Sequence, residues 1–339
     1  MFGCLLATSL LIAMRLPGAR LDSRFSEYLL FLGAAGNIVP KVIQGVLFFS
    51  IARSLNRGLN KWATNNWRSS TSKPHRWSDE IAVVTGGSSG IGEQLVLGLV
   101  RHGLKVAVLD VQAPPKSISD LGAKFYECDV TSSDSVSHAA DAVRRDLGHP
   151  SILINNAGIQ KSAPILKTDH RLVRKVFEVN TISHWITARE FLPRMIQHDR
   201  GHIVTVASVA SFVGLPCGAD YAASKAAALA FHESLTSELK HIYKSPGVIS
   251  TIVHPNFVRT PLIEEEAHRL EKVGVALLTS EAVADAILAQ IFKGTGGQVI
   301  IPSSSSVASL LRSFPNWTQE IVRDQIGKKM ASMATFSAA

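Results

Sequence analysis

Tyr221 and Lys225 stand four residues apart at the start of a stretch that reads as helical, so they share one face. A free phenol titrates at about 10 and is a poor acid or base at neutral pH. An adjacent ammonium favours the phenolate and lowers that value. Ser208, just beyond an apolar strand, is placed to hydrogen-bond a substrate oxygen as charge develops on it. Asn180 lies inside a helical stretch, where asparagine is a mediocre helix former; it is suited to kinking the helix and holding a water. Together the four could move a proton to or from an alcohol or carbonyl oxygen during hydride transfer. Each alone has an ordinary structural explanation, and Tyr-x-x-x-Lys recurs by chance.

Gly86, Gly90 and Gly92 lie between an apolar strand, Ile81 to Val84, and a helix from about Glu93 to His102. Such a turn needs positive φ and no side chain, so that backbone N–H groups can approach a pyrophosphate at the helix N-terminus. Many turns carry three glycines; the position after a strand and before a helix makes this one a candidate phosphate cradle. Asp110 stands 18 residues past Gly92, at the end of a second strand. A carboxylate there accepts hydrogen bonds from the adenosine ribose and repels a 2′-phosphate. Its neighbours Ser88, Ser89 and Val111 offer no arginine for such a phosphate, so NAD is expected in preference to NADP.

These residues sit on a regular alternation. Apolar runs at 105–109, 124–128, 152–154, 202–207, 248–253 and 298–301 follow the first strand, with helical stretches at 133–147, 169–198, 221–243 and 281–292 between them. Strands that read as continuous apolar runs are buried on both faces. The fold class is therefore α/β, a doubly wound parallel sheet of Rossmann type.

Thr85-Gly-Gly-Ser-Ser-Gly-Ile-Gly92, Asp129-Val130, Asn155-Asn-Ala-Gly158, Asn180, Ser208, Tyr221-Ala-Ala-Ser-Lys225 and Pro255 through Thr260 occur in order. This set resembles the signature of the classical short-chain dehydrogenases/reductases, over about residues 80–302. The resemblance implies Tyr221 as general acid/base and Lys225 as the group that lowers its pKa and holds the nicotinamide ribose. It implies Ser208 orienting the substrate oxygen and Asn180 completing a proton relay through water. Gly86, Ser88, Ser89, Gly90, Ile91, Gly92, Asp110, Asp129, Val130, Asn156, Ala157, Gly158, Pro255 and Val258 would line the cofactor, with Thr260 near the carboxamide. One departure is Pro255-Asn256, where the family usually has Pro-Gly; asparagine tolerates unusual φ, so the loop is expected to persist with an altered shape.

The chain has 339 residues and a formal charge of +8, with 46% hydrophobic and 18% charged residues, which excludes a disordered chain. Three scattered cysteines exclude a disulfide framework or zinc site, and no metal is expected. Residues 1–78 hold ten Lys/Arg against Asp22 and Glu27, while the rest carries 25 of each sign. The basic balance thus belongs to the N-terminal region, not to a stripe on the body, which argues against nucleic acid. It lies beside apolar runs, Phe2 to Met14 and Tyr28 to Ala52, followed by basic residues interleaved with Trp62, Trp67 and Trp77. That pattern fits a membrane headgroup zone, with the body on the cytosolic side. The longer run has the length of a span, but Asn37, Pro40 and Lys41 at its middle equally suit two half-length helices meeting at Pro40.

The expected organisation is a membrane-anchoring region at 1–78, a dehydrogenase domain at 79–302 and a tail of uncertain order at 303–339. The anchor with this body resembles the membrane-bound retinol and hydroxysteroid dehydrogenase branch, which implies a lipophilic alcohol or carbonyl substrate. Endoplasmic reticulum or lipid droplet is the expected membrane. Phe212, Val213, Leu215, Cys217, Phe257 and Leu262 are candidates for an apolar substrate pocket, and 260–278 for a lid. A homodimer is implied by the resemblance alone. A non-catalytic cofactor-binding scaffold and a sugar-nucleotide epimerase or dehydratase are the competing readings. The intact polar quartet weighs against the first and the glycine spacing against the second.

Overall fold

The computed structural model describes residues 38–69 and 76–333. The run Phe2 to Met14, the part of the second run before Ile38 and most of the proposed linker fall outside them. The chain divides into two compact units, Met1–Ala63 and Thr64–Ala339.

In the first unit a helix, α1 (Ile38–Thr64), continues from the apolar run into the basic stretch. Pro40 is the third described residue, so the expected junction of two half-helices there falls at the edge of the described residues. Among the described residues no helix is long and apolar enough to cross a membrane. Phe48, Phe49, Ile51 and Leu55 are nonetheless exposed on α1.

The second unit alternates as the apolar runs require. Its elements are β1 (Ile81–Thr85), α2 (Gly90–Arg101), β2 (Lys105–Asp110), a short α3 (Lys116–Ser119), β3 (Lys124–Glu127), α4 (Ser133–Asp146) and β4 (Ile152–Asn155). After these come α5 (His170–Phe177), a π turn (Glu178–Ile182), α6 (Ser183–Gln197), β5 (Gly201–Val206), α7 (Ala219–His241) and β6 (Val248–Pro255). Two-residue strands β7 (Val258–Arg259) and β8 (Leu278–Thr279) flank α8 (Glu264–Lys272), and α9 (Ser280–Lys293) leads to β9 (Gly297–Ile301). The tail is folded: a 3₁₀ stretch over Ser303–Ser313 and then α10 (Asn316–Met333).

The main sheet has seven parallel strands in the order β3-β2-β1-β4-β5-β6-β9. β1, β4, β5 and β6 are buried along their whole length because helices cover both faces. On one face Leu95, Leu99, Ile287 and Ile291 of α2 and α9 pack on Val84 and Val108. On the other, Val136, Val143, Phe191 and Leu235 of α4, α6 and α7 pack on Leu109 and Leu153. Each such side chain contributes roughly 1.5–3 kcal/mol by burial.

The strand order reverses between β1 and β4, since the chain runs outward from β1 to β3 and returns beside β1 as β4. A crevice opens at the carboxyl ends of strands at such a switch point. The residues there are Thr85-Gly86 and Asn155-Asn156, which the sequence singles out on separate grounds.

Candidate active site

The glycine loop turns sharply because two of its residues are left-handed, with φ of +62° at Gly86 and +57° at Gly90. Asn156 holds the loop from β4: its Nδ2 donates to the carbonyls of Thr85 (3.1 Å) and Gly86 (2.9 Å). Thr85 Oγ1 in turn accepts from the backbone N–H groups of Asn156 and Ala157 at 3.0 and 3.1 Å. The start of α2 is thereby fixed with its N-terminal end toward the crevice, where an anionic group is favoured.

Asp110, ending β2, accepts hydrogen bonds from the N–H groups of Ser88 (3.0 Å) and Gln112 (3.1 Å). Ser88 Oγ donates to the Gln112 carbonyl at 2.6 Å, so Ser88 braces the loop from behind. Asp129 accepts from Thr131 at both its backbone N–H and its hydroxyl and pairs with Lys175 at 3.5 Å. Thr260 reaches across the cleft: a Cβ placed on Gly90 would lie 3.2 Å from its methyl.

Lys225 is buried on α7, and its Nζ donates to the Val206 carbonyl at the end of β5 (2.8 Å). The same ammonium lies 5.8 Å from the centre of the Tyr221 ring. Burial pulls the Lys225 pKa down to about 8. Burial pushes the Tyr221 phenol up, and the hydrogen bond with the Ser208 side chain pulls it the other way. The net direction is up, and the partial lowering comes from Ser208, so the depression expected from Lys225 is not what sets the phenol here. Ser208 Oγ accepts from the Ala210 N–H (3.1 Å) and donates to the Pro255 carbonyl (3.3 Å), which fixes its position between β5 and β6.

Asn180 sits at a local change of helix winding, as expected, and its side-chain amide is engaged at both ends. It is wholly buried in the π turn, its Oδ1 accepts from the Ile159 N–H (2.8 Å), and its Nδ2 donates to the Ile159 carbonyl (3.0 Å) and to Ser224 Oγ (3.0 Å). Both amide hydrogens are committed, so the side chain does not serve as the donor to a relay water. It clips the loop after β4 to α7 instead. A Cβ on Gly158 would lie 3.5 Å from Asn180 Oδ1 and 3.6 Å from Lys225 Nζ, so both groups meet the chain there.

One cavity of about 1050 Å³ joins these parts. Gly86, Ser89, Gly90, Ile91, Asp110, Asp129, Val130, Asn156, Ala157 and Gly158 line it at one end. Ser208, Tyr221, Lys225, Pro255, Val258 and Thr260 line it further along. Ser88, Gly92 and Asn180 do not line it; they support residues that do. Val213, Leu215, Phe257 and Leu262 add the expected apolar wall. Phe212 and Cys217 do not: Phe212 packs on His254 with ring centres 4.5 Å apart, and Cys217 turns the loop with φ of +60°. Asn256 is not left-handed; its N–H bonds to Ile301 of β9 at 2.8 Å, so the loop needs no glycine.

Sequence reasoning missed the C-terminal wall. Leu311, Val322, Ile326 and Met330 line the cavity from a tail taken to be of uncertain order. The last three recur at intervals of four, a helical stripe that carries the signal.

The family model described as short chain dehydrogenase matches residues 80–271. The chain belongs to the short-chain dehydrogenase/reductase family. Dehydrogenase RED2 of Cochliobolus heterostrophus is 40% identical over 222 residues, covering 64% of this chain and 83% of its own. Human epidermal retinol dehydrogenase 2 is 38% identical over 193 residues, covering 55% of this chain and 62% of its own. Human estradiol 17-beta-dehydrogenase 11 is 31% identical over 258 residues, covering 74% and 84%. A short chain dehydrogenase/reductase from Burkholderia phymatum, solved in complex with NAD, superposes with a TM-score of 0.62 at 25% identity, over 69% of this chain and 93% of that one. This short-chain dehydrogenase thus falls in the retinol and hydroxysteroid branch and is an NAD(P)-dependent oxidoreductase acting on CH–OH groups. The glycine cradle, the committed Asp110 and the size of the cavity fit a nicotinamide dinucleotide.

Proposed function

We propose that this short-chain dehydrogenase is membrane-associated and interconverts a lipophilic alcohol of retinoid, steroid or fatty type with its ketone or aldehyde, using NAD in preference to NADP. The observation that carries the reading is one cavity whose wall passes from the glycine loop, through Ser208, Tyr221 and Lys225, to apolar side chains. A nicotinamide dinucleotide held by the loop, Asp110 and Lys225 supplies or accepts the hydride when bound.

The chain's own residues handle the oxygen and its proton. Tyr221 hydrogen-bonds the substrate oxygen, and Ser208 does so by turning its one hydroxyl proton from the long 3.3 Å bond to the Pro255 carbonyl, so charge developing there meets positioned donors. Tyr221 gives its phenolic proton to a carbonyl oxygen in reduction and takes the hydroxyl proton in oxidation. Lys225, fixed by Val206, keeps a positive charge over the ring at neutral pH, since its pKa of about 8 leaves it mostly protonated. Asn180 acts as a positioning residue that holds Ile159 against α7. The apolar walls exclude water from the reacting end.

Membrane association is supported by the exposed apolar side chains of α1 and the basic residues that follow them. The body then faces the cytosol from the endoplasmic reticulum or a lipid droplet, and Asn316 of the Asn-Trp-Thr acceptor stays unglycosylated. A homodimer is consistent with Ile182 and Trp185, exposed beside Asn180 and at the start of α6.

The test is turnover by the detergent-solubilised full chain with NADH or NADPH against retinoid, steroid and fatty carbonyl panels. Turnover with NADH at least about tenfold better than NADPH is expected, about 1.4 kcal/mol. The reverse preference overturns the role of Asp110. Silence on every panel, with nucleotide still bound, overturns the proposed substrate class.

A further inference from the structure

We propose that the rim of the active-site cavity is a docking surface for an anionic phospholipid layer, formed by the loop carrying Ile165 and Leu166 together with the outer face of the C-terminal segment. The inference rests on the lipophilic-substrate reading and adds to it the route by which such a substrate enters.

The first part of the surface is a rigid apolar tip. Leu166 is 99% exposed and Ile165 74% exposed, in a 3₁₀ turn over Ile165–Lys167. Thr168 Oγ1 donates to the Pro164 carbonyl at 2.9 Å and closes the base of the turn. Two adjacent large apolar side chains held out in water form the start of a contiguous apolar patch, the kind of surface that marks an interaction site.

The second part is the C-terminal segment. Leu311, Val322, Ile326 and Met330 face the cavity, which accounts for one apolar face. A helix that only roofs a cavity is polar on its other side. Here Leu310 of the 3₁₀ stretch, Phe314 in the extended link and Trp317 and Ile321, four apart on α10, are all exposed. Val307 both lines the cavity and is 65% exposed, which marks the mouth.

Hydrogen bonds tie both parts to one loop. The Ala163 N–H donates to the Cys217 carbonyl at 2.9 Å, and Arg312 Nε donates to the Phe212 carbonyl at 3.3 Å. Between those anchor points Val213 and Leu215 line the cavity. The two apolar parts therefore flank the substrate end of the site.

Charge selects the occupant. Residues 161–174 carry Lys161, Lys167, Arg171 and Arg174 against Asp169. In residues 303–333, leaving aside Lys329, which lines the cavity, Arg312, Arg323 and Lys328 stand against Glu320 and Asp324. Apolar side chains among net positive segments suit anionic headgroups over acyl chains. A second copy would bring the same positive segments face to face across a two-fold axis.

The experiment uses the full chain and the double variant Leu166→Asp/Trp317→Asp, whose sites are exposed and outside the cavity wall. Because the N-terminal region is itself proposed to hold the membrane, the readout is local: amide exchange at 163–168 and 307–321, with and without phosphatidylcholine/phosphatidylserine vesicles. Protection of both segments by vesicles in the native chain, lost in the variant, is expected. The variant should also raise KM about tenfold for a long-chain ketone dissolved in the vesicles, with kcat/KM for a short water-soluble ketone unchanged. No protection, equal protection in the variant, or protection that tracks protein concentration without vesicles overturns the docking surface. Vesicle protection with no turnover of either ketone by the native chain sinks the substrate reading and leaves the surface standing.

Discussion

Tyr221→Phe is expected to lower kcat by roughly 10²–10⁴-fold, the range that a positioned acid/base contributes, while NADH binding stays near native. Phenylalanine keeps the ring beneath Lys225 and removes only the hydroxyl beside Ser208. The native pH profile is the companion measurement. Burial raises the phenol above its ordinary value, so the deprotonated form needed for alcohol oxidation grows as pH increases. Oxidation should therefore accelerate from neutral into alkaline pH. Reduction needs the protonated phenol and should stay level until the phenol titrates. Lys225, lowered by burial to about 8, loses its charge partway through the same range and weakens the support for phenolate, which blunts the rise in oxidation. Initial rates in both directions, together with nucleotide titration, check this. A Tyr221→Phe enzyme with near-native rate removes the phenol from the chemistry.

The parts of this molecule that were legible in its sequence are those with a local cause. The central strands of the main sheet could be read because burial on both faces makes them apolar runs, as in Val83-Val84 and Ile152-Leu153-Ile154, while the edge strands β3 and β9 are only partly buried. The cleft could be placed because its residues follow strand ends: Gly86 after β1, Asp110 closing β2, Asn156 after β4. What escaped depends on distant partners. Nothing near Asn180 shows that its amide will be used by Ile159 and by Ser224, 44 residues away. Nor does the spacing of Tyr221 and Lys225 reveal their burial, which moves both pKa values against the ionised forms. The single long helical stretch expected over 169–198 is divided by a π turn at Asn180, a local change of winding that leaves the apolar pattern nearly intact. The C-terminal wall was written in the spacing of Val322, Ile326 and Met330, but a stripe at the end of a chain does not say which surface it covers.

Gly92→Ala should all but abolish nucleotide binding, although alanine is the better helix former by about 1 kcal/mol. Gly92 is the third residue of α2, and a Cβ there would lie 2.0 Å from the Gly86 carbonyl oxygen and 2.7 Å from Asn156 Nδ2. The first of these is backbone of the loop itself, so relief requires α2 to move off the turn. Movement breaks the Asn156 bonds to Thr85 and Gly86 and misplaces the N–H groups that would meet the pyrophosphate. An NADH affinity lower by at least about a hundredfold is expected, which corresponds to about 2.7 kcal/mol. Thermal stability should fall as well. Gly327→Ala is the matched control: it lies inside α10, a new Cβ meets nothing within 4 Å, and it should leave NADH affinity unchanged while adding about 0.5–1 kcal/mol of stability. The same chemical change thus carries opposite signs at two helical glycines, decided by what stands opposite the missing side chain. Fluorescence titration with NADH and thermal melts of both variants make the comparison. Native affinity in Gly92→Ala would show that the dinucleotide does not rest on this loop, and the placement of the whole reaction beside Tyr221 would fall with it.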